Sequence, residues 1–412
     1  MKRKVKFSRL TENRPSVGRE RNGRARGRRC LVPGGMTAVL VGLGNIGSFA
    51  ALLLAQLYPL LTRLTLIDPD VFNEGNLGCQ NIGPRACGRL KVSVLAEEIH
   101  RVAPELDVRA IPARVEAVPL GVLQADVIVS ALDSRQARAA LQRAAWSVGA
   151  CLIDSGVEPS ELLSRIEVYI PGSHSPCYMC QIDRDAAHAL AARHPCSPAR
   201  APSHTAAPSR LGALTASLAV MEAEKFLRGD LQHLARSTQV IFDARRHVVL
   251  RSALRRNRFC AFVHRQLRGV APLDWRQGRL KLGDLFEAGR GLLRGGGAPA
   301  LKVPVIEELK MEVLGQAFTT ALRCTCGAQR NLLRLTERIA ALDSRCLSCG
   351  AAMAATGFDL MEELRVCDLP GAWRRQAVRS LGLQRGDFIR FSSKHRVSVV
   401  ELVDDGMGGR HA

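Results

Sequence analysis

The chain has 412 residues, with 59 lysines and arginines against 38 acids and a formal net charge of +21. That length allows two or three domains with one substantial core. It contains no uninterrupted apolar run of about 18 residues, as a membrane-spanning helix needs. The basic start MKRKVKFSRLTENRP lacks the apolar stretch of a secretory signal. A soluble, cytoplasmic protein with no membrane partner is expected.

Residues 1–30 hold twelve Lys or Arg and two acids, about half of the net positive charge. Residues 1–35 read as a flexible basic arm. Charge alone could hold nucleic acid or an acidic protein there, a solvated tail accounts for it as well, and nucleic acid is not the favoured partner.

After the arm, TAVLVGL is a short apolar strand that runs into the turn Gly42-x-Gly44-x-x-Gly47 and an apolar helix, IGSFAALLLAQL. RLTLIDPD is a second strand, and KVSVLAEEIHRVAP has helical spacing and stops at Pro104. DVRAIPARV, ADVIVSALD and ACLIDSGV are further strands, with the helix RQARAALQRAAWSVG before the last. This alternation predicts a parallel, doubly wound α/β sheet over roughly residues 36–170. Further on, PGSHSPCYMC is rich in turn formers, and LGALTASLAVMEAEKFLRG is an amphipathic helix. STQVIFDARRHVVLRSAL reads as two strands, residues 266–318 with GRGLLRGGGAPA as a linker, and residues 379–404 as a small helix and a hairpin.

Three glycines at this spacing allow a tight turn and close approach of a phosphate to a helix N-terminus, and alone they do not name the ligand. Asp68 sits where a dehydrogenase would place its ribose-binding acid. The segment LIDPDVFNEGNLGCQNIGPRACGRLKV, however, puts Asp68, Asp70, Asn76, Gln80 and Lys91 in one arc at the carboxyl ends of the strands, beside Asn45 of the glycine turn. Asp133 closes the fourth strand at the same edge. A lysine beside phosphates and a carboxylate able to hold Mg²⁺ serve nucleotidyl transfer; hydride transfer needs neither. The bland alternatives are a turn cap for Asp68, a solvated Lys91 and an N-cap role for Asp133.

Over residues 36–265 the sequence resembles the ThiF/MoeB family of ATP-dependent activating enzymes, to which the ubiquitin-activating enzymes belong. The marks are VGLGNIGS, IDPD with NLGCQ, GRLKV, ALDSRQAR, SPCYMC and LGALTASLAVMEAEKFL, in the family's order. The resemblance implies a Rossmann-like adenylation domain and ATP and Mg²⁺ as cofactors. Asp68 would lie on the ribose, Asn76 and Lys91 on the phosphates, and Asp133 on the metal. It further implies a homodimer acting on the C-terminal glycine of a ubiquitin-like protein. One position departs from the pattern: Cys79 stands where the family has arginine. It reads as a neutral substitute rather than a nucleophile, and Arg85, Arg89, Arg9 or Arg14 could supply the missing charge.

Of thirteen cysteines, six fall in the short-spaced sets Cys177/Cys180, Cys324/Cys326 and Cys346/Cys349 without an export signal, which favours metal over disulfides. By the resemblance, Cys177 and Cys180 form half of a structural zinc site, and Cys260 and His264 stand where the other half is expected. A surface histidine is the alternative for His264. Cys324, Cys326, Cys346 and Cys349 make a zinc ribbon over residues 319–357, followed by a small α+β module at 358–412. With almost no aromatic residues, the ribbon suits scaffolding or protein docking better than base stacking. Cys196, near His194, lies in a segment near 185–210 that the family threads over the adenylate, and could accept the acyl group or do nothing. Cys30, Cys87, Cys151 and Cys367 read as incidental.

The function expected is ATP-dependent activation of a ubiquitin-like protein, with transfer to a thiol or a conjugating enzyme, in a bacterial conjugation system. The alternatives are a sulfur-carrier adenylyltransferase of molybdopterin or thiamine type, a basic zinc-containing nucleic-acid binder and a nicotinamide oxidoreductase.

Overall fold

The computed structural model describes residues 35–183, 207–275, 279–294, 308–394 and 396–404. The first half runs β1 (Met36–Val41), α1 (Gly47–Ala55), β2 (Leu61–Ile67), α2 (Lys91–Val102), β3 (Asp107–Ile111), β4 (Val127–Ser130), α3 (Arg135–Val148) and β5 (Cys151–Glu158). It continues with β6 (Leu163–Tyr169), α4 (Ser209–Leu227), β7 (Thr238–Asp243) and β8 (Val248–Ala253). These strands form one sheet in the order β3-β2-β1-β4-β5-β6-β7-β8.

The first five strands are parallel, as expected, but β6, β7 and β8 are antiparallel to their neighbours, so the sheet is mixed. The expectation of a parallel sheet to about residue 170 fails at the β5–β6 connection. Only residues 159–162 join the two strands, and a parallel crossover needs about a dozen residues.

Side-chain alternation along the central strands feeds two cores. Leu40, Leu64, Leu66 and Val129 face one side, against α1, α2 and α4. Val39, Val41, Ile67 and Ile128 face the other, against Leu141 and Ala145 of α3. Helices therefore cover both faces, and the carboxyl ends of β1, β2 and β4 share one edge.

The segment expected as a linker carries secondary structure. Within it lie β9 (Ala271–Asp274), α5 (Leu282–Arg294) and β10 (Lys310–Val313). Leu282, Leu285, Phe286 and Leu293 bury one stripe of α5. Gly289 lies so close to Phe391 that a Cβ there would stand 2.3 Å from the ring. A glycine that reads as flexibility is a packing requirement.

The remaining strands are β11 (Phe318–Arg323), β12 (Gln329–Leu335), β13 (Leu360–Met361), β14 (Leu364–Arg365), β15 (Phe388–Ser392) and β16 (Val397–Val403), with the short helix α6 (Gly371–Arg374). They form a three-stranded sheet, β12-β11-β13, and a five-stranded sheet, β14-β10-β15-β16-β9. One buried cluster, including Phe318, Leu335, Met311, Phe391 and Leu402, runs through both.

This C-terminal part is bonded to the segment between β3 and β4. Gly121 donates its N–H to the Gly386 carbonyl at 2.8 Å. Gln316 donates to the Glu116 carbonyl at 2.5 Å and Arg338 Nε to the Ala117 carbonyl at 2.7 Å. Among the described residues no helix is long and apolar enough to cross a membrane.

Candidate functional site

The three glycines of the first turn divide their work. Gly42 has φ +87°, and a Cβ on it would lie 2.6 Å from the Ala131 carbonyl, so β1 and β4 close tightly. A Cβ on Gly47 would lie 1.9 Å from the Gly42 carbonyl, which fixes how α1 leaves the turn. Nothing stands within 4 Å of a Cβ built on Gly44, so the middle of the turn is open to a ligand.

Asp68 ends β2 beneath this turn and is buried. Its Oδ2 accepts from Leu43 N at 2.6 Å and its Oδ1 from Asp70 N at 2.8 Å. The turn-capping alternative therefore holds for Asp68, while each oxygen keeps lone-pair capacity for another donor. Burial pushes its carboxyl above the usual range, and Lys91 and the two amides oppose that push.

Lys91 begins α2 and is not a solvated lysine, since its side chain is 8% exposed. Its Nζ lies 3.0 Å from Asp70 Oδ2 and 6.0 Å from the centre of the Phe72 ring. Its own N–H donates to the Asp70 carbonyl at 2.9 Å. A continuous chain of bonds, Leu43 to Asp68 to Asp70 to Lys91, thus links the glycine turn to a nearly buried ammonium.

The loop after Asp70 folds back over α1. Asn76 is buried, and its Oδ1 accepts from Asn73 N at 2.9 Å in a reciprocal cap of the short helix Glu74–Asn76. Asn45 ties three segments together through Nδ2, which donates to the carbonyls of Cys79 at 2.6 Å and Ala207 at 3.0 Å, the latter just before α4. Asn45 Oδ1 and Gln80 Oε1 are buried with no partner among the described residues. Cys79 is half-buried, with Sγ 3.6 Å from the Asn76 carbonyl, and brings no charge. Of the cations considered as substitutes, Arg89 is ion-paired with Glu97, Arg85 is exposed, and Arg9 and Arg14 lie outside the described residues.

Asp133 follows β4 at the same edge and is exposed. It does not cap α3: Ser134 does, its Oγ accepting from Ala137 N at 3.4 Å. The loop is braced from below by a cluster that the sequence reading passed over. Arg138 bonds both the Leu132 carbonyl and buried Asp154. Asp154 also accepts from Ser130 Oγ at 2.7 Å and Arg165 Nη2 at 2.9 Å. An aspartate inside the apolar run ACLIDSGV was the available signal, because a carboxylate on a buried strand requires partners.

Both cysteine sets converge. Sγ–Sγ distances are 3.7 Å for Cys177–Cys180 and for Cys177–Cys260, and Cys180 Sγ is 3.3 Å from His264 Nε2. His264 is not a free surface residue, since its ring packs edge-on against Trp146 at 4.8 Å. In the second set, Cys324–Cys349 is 3.4 Å and Cys326–Cys346 is 3.6 Å. In each set the four donor atoms lie within 4.8 Å of one another and could hold a metal ion. Zn–S bonds of about 2.3 Å in a tetrahedron put sulfurs about 3.8 Å apart, so the donors and spacing fit zinc. A hydrogen bond from Cys177 lowers the Cys180 thiol from its ordinary range, which favours the charged form that binds a cation. Cys196 lies outside the described residues.

These features define a Rossmann-like α/β domain with an open glycine turn at the carboxyl edge of its sheet. Residues 35–260, more than half of the chain, match the ThiF family, and the chain belongs to that family. It is similar to ubiquitin-like modifier-activating enzyme 5 of Dictyostelium discoideum, 24% identical over 159 residues that cover 35% of this chain and 41% of the relative. The same enzyme of Gallus gallus is 24% identical over 158 residues, 35% of this chain and 39% of the relative. The chain thus spans less than half the length of these curated relatives. Among solved structures, E. coli MccB with ATP aligns with a TM-score of 0.45 and 19% identity, over 55% of this chain and 65% of that one.

Proposed function

We propose that the protein uses ATP to adenylate the C-terminal carboxylate of a ubiquitin-like protein and then passes the acyl group to a thiol. The observation that carries this reading is the bonded arc from Leu43 through Asp68 and Asp70 to Lys91, under a turn left open at Gly44. The similarity to modifier-activating enzymes supports the choice of substrate class.

In this reading a carboxylate oxygen of the carrier attacks the α-phosphorus, the bond to the pyrophosphate leaving group breaks, and an acyl-adenylate forms. Asp68, already fixed by two amides, offers its remaining lone pairs to the ribose hydroxyls. Lys91 places its positive charge where the triphosphate passes the start of α1, and Asn76 and Gln80 shape the wall beside it. Exposed Asp133 would hold Mg²⁺, which supplies charge neutralisation at the phosphates. Cys196 is the proposed acceptor thiol within the chain: its sulfur attacks the acyl carbon, the bond to the AMP oxygen breaks, AMP leaves and the thiol proton passes to solvent. A conjugating enzyme is the next acceptor and a homodimer the working assembly. Both four-residue clusters hold structural Zn²⁺ in this proposal, the first tying the segment after β6 to the segment after β8.

The test is ATP–pyrophosphate exchange with candidate carriers, both conjugation-type and sulfur-carrier-type. Exchange stimulated by one carrier, and reduced about 100- to 1000-fold in Lys91→Ala and Asp133→Ala, is expected. No stimulation by any carrier, or unchanged exchange in both variants, refutes adenylation.

A further inference from the structure

A second site stands apart from the glycine turn. In the C-terminal part a cavity of about 550 Å³ is lined by Arg334, Arg338, Arg379, Arg385, Trp275 and Asp404, together with the Gly382–Gln384 turn. Four guanidiniums around one small cavity repel one another unless carboxylates or a bound anion offset them.

Three of them have carboxylate partners. Arg338 is held bidentately by Asp387 at 2.6 and 2.7 Å. Arg334 Nη1 reaches Asp343 at 2.6 Å, and Arg385 Nη1 reaches Asp404 at 3.0 Å. Arg379 is exposed and has no ion pair among the described residues. Arg334 Nε is buried without a hydrogen-bond partner, although a guanidinium N–H shut away from water demands one. Three of the four arginines are thus ion-paired with an aspartate, and Arg379 has no ion pair among the described residues.

We propose that this cavity binds a small phosphomonoester. The phosphate accepts from the exposed Arg379 guanidinium, whose planar fork suits tetrahedral oxyanions, and Arg334 on the lining adds its charge beside it. The rest of the molecule occupies the volume against the Trp275 indole. Asp404 lies on the lining and stays paired with Arg385, which keeps its charge from facing the anion alone. The volume is that of a small-molecule pocket. The site is independent of the adenylation reading, because neither Lys91 nor Asp133 takes part in it.

The test is isothermal titration of the full chain with ribose 5-phosphate and, separately, with inorganic phosphate, chloride holding the ionic strength constant. Saturable binding of ribose 5-phosphate is expected, retained in Lys91→Ala and weakened about tenfold or more in both Arg379→Gln and Arg334→Gln. Arg379 is exposed, so its variant keeps the fold and keeps the test decisive. Inorganic phosphate should bind more weakly than the ester, since it leaves the Trp275 wall bare. No saturable binding, binding that Arg379→Gln leaves unchanged, or binding that Lys91→Ala abolishes overturns the assignment.

Discussion

Arg338 is the place to test how the C-terminal part is held. Its side chain is 5% exposed and that of Asp387 is 2% exposed. Its guanidinium makes two bonds to Asp387, one to the Gly382 carbonyl at 2.9 Å and one to the Ala117 carbonyl at 2.7 Å. Arg338→Met removes all four and leaves a buried carboxylate with the Gln384 N–H as its remaining donor, at 2.7 Å. Breaking a buried pair on one side costs about 3–5 kcal/mol. Two orphaned carbonyls put this case near 4 kcal/mol, roughly a thousandfold in the folding constant. Urea unfolding followed by tryptophan fluorescence measures it, with Trp275 reporting from the same core. The deficit has a pH sign. Burial already pushes the Asp387 carboxyl up, against the pull of Arg338. Without Arg338 it rises further, so the penalty is absent where the carboxyl is protonated in both states and grows as pH rises through its folded value. Replacing both partners, Arg338→Met with Asp387→Leu, should recover most of the loss. A loss below about 1 kcal/mol in the single variant, or a double variant no better than the single, would refute a buried, charge-bearing clamp.

Gly44→Ala should fold like the parent and lose exchange activity, whereas Gly47→Ala, with its Cβ 1.9 Å from a carbonyl, should lose stability outright; equal thermal stability of the two variants would contradict this division. Metal analysis of the purified chain should find two zinc ions, and Cys346→Ser should release one of them while leaving the Cys177 site loaded; one zinc in the parent would remove a site from the proposal. Arg323 holds the Asp359 carboxyl down to about 2 from the ordinary 3.8. The pair is therefore intact above the ordinary value and is lost as pH falls through about 2, and Asp359→Asn should flatten the acid side of the stability curve.

The parallel half of the sheet was legible because buried strands of β-branched and apolar residues alternate with helix-period segments, and Pro104 and the glycine turn mark their ends. The antiparallel half was not, since strand direction depends on connection length, and the brevity of residues 159–162 is visible only once β5 and β6 have boundaries. Gly289 misled because a glycine gives the same letter to freedom and to close packing; only Phe391 across the contact separates the two. In the candidate site, Lys91 and Asp70 were legible as neighbours of one arc, and the structure pairs them at 3.0 Å. Asp68 served both as cap and as candidate ligand, which a single sequence cannot divide. Asp154, Arg138 and Arg165 went unread because they come from two strands and a helix, with no local spacing to announce them.

The bonds from Gln316, Arg338 and Gly386 to residues 116–121 bear on how such a protein can change over generations. Gly121 accepts no side chain, because a Cβ there would meet Glu401 Oε1 at 2.7 Å and the Gly386 carbonyl at 2.8 Å. A chain ended at residue 265 would strip the Glu116 and Ala117 carbonyls of their donors and leave a bare glycine facing water. The two parts are therefore matched in structure: a ThiF portion exchanged for a relative's would need a compatible 116–121 segment to keep these bonds.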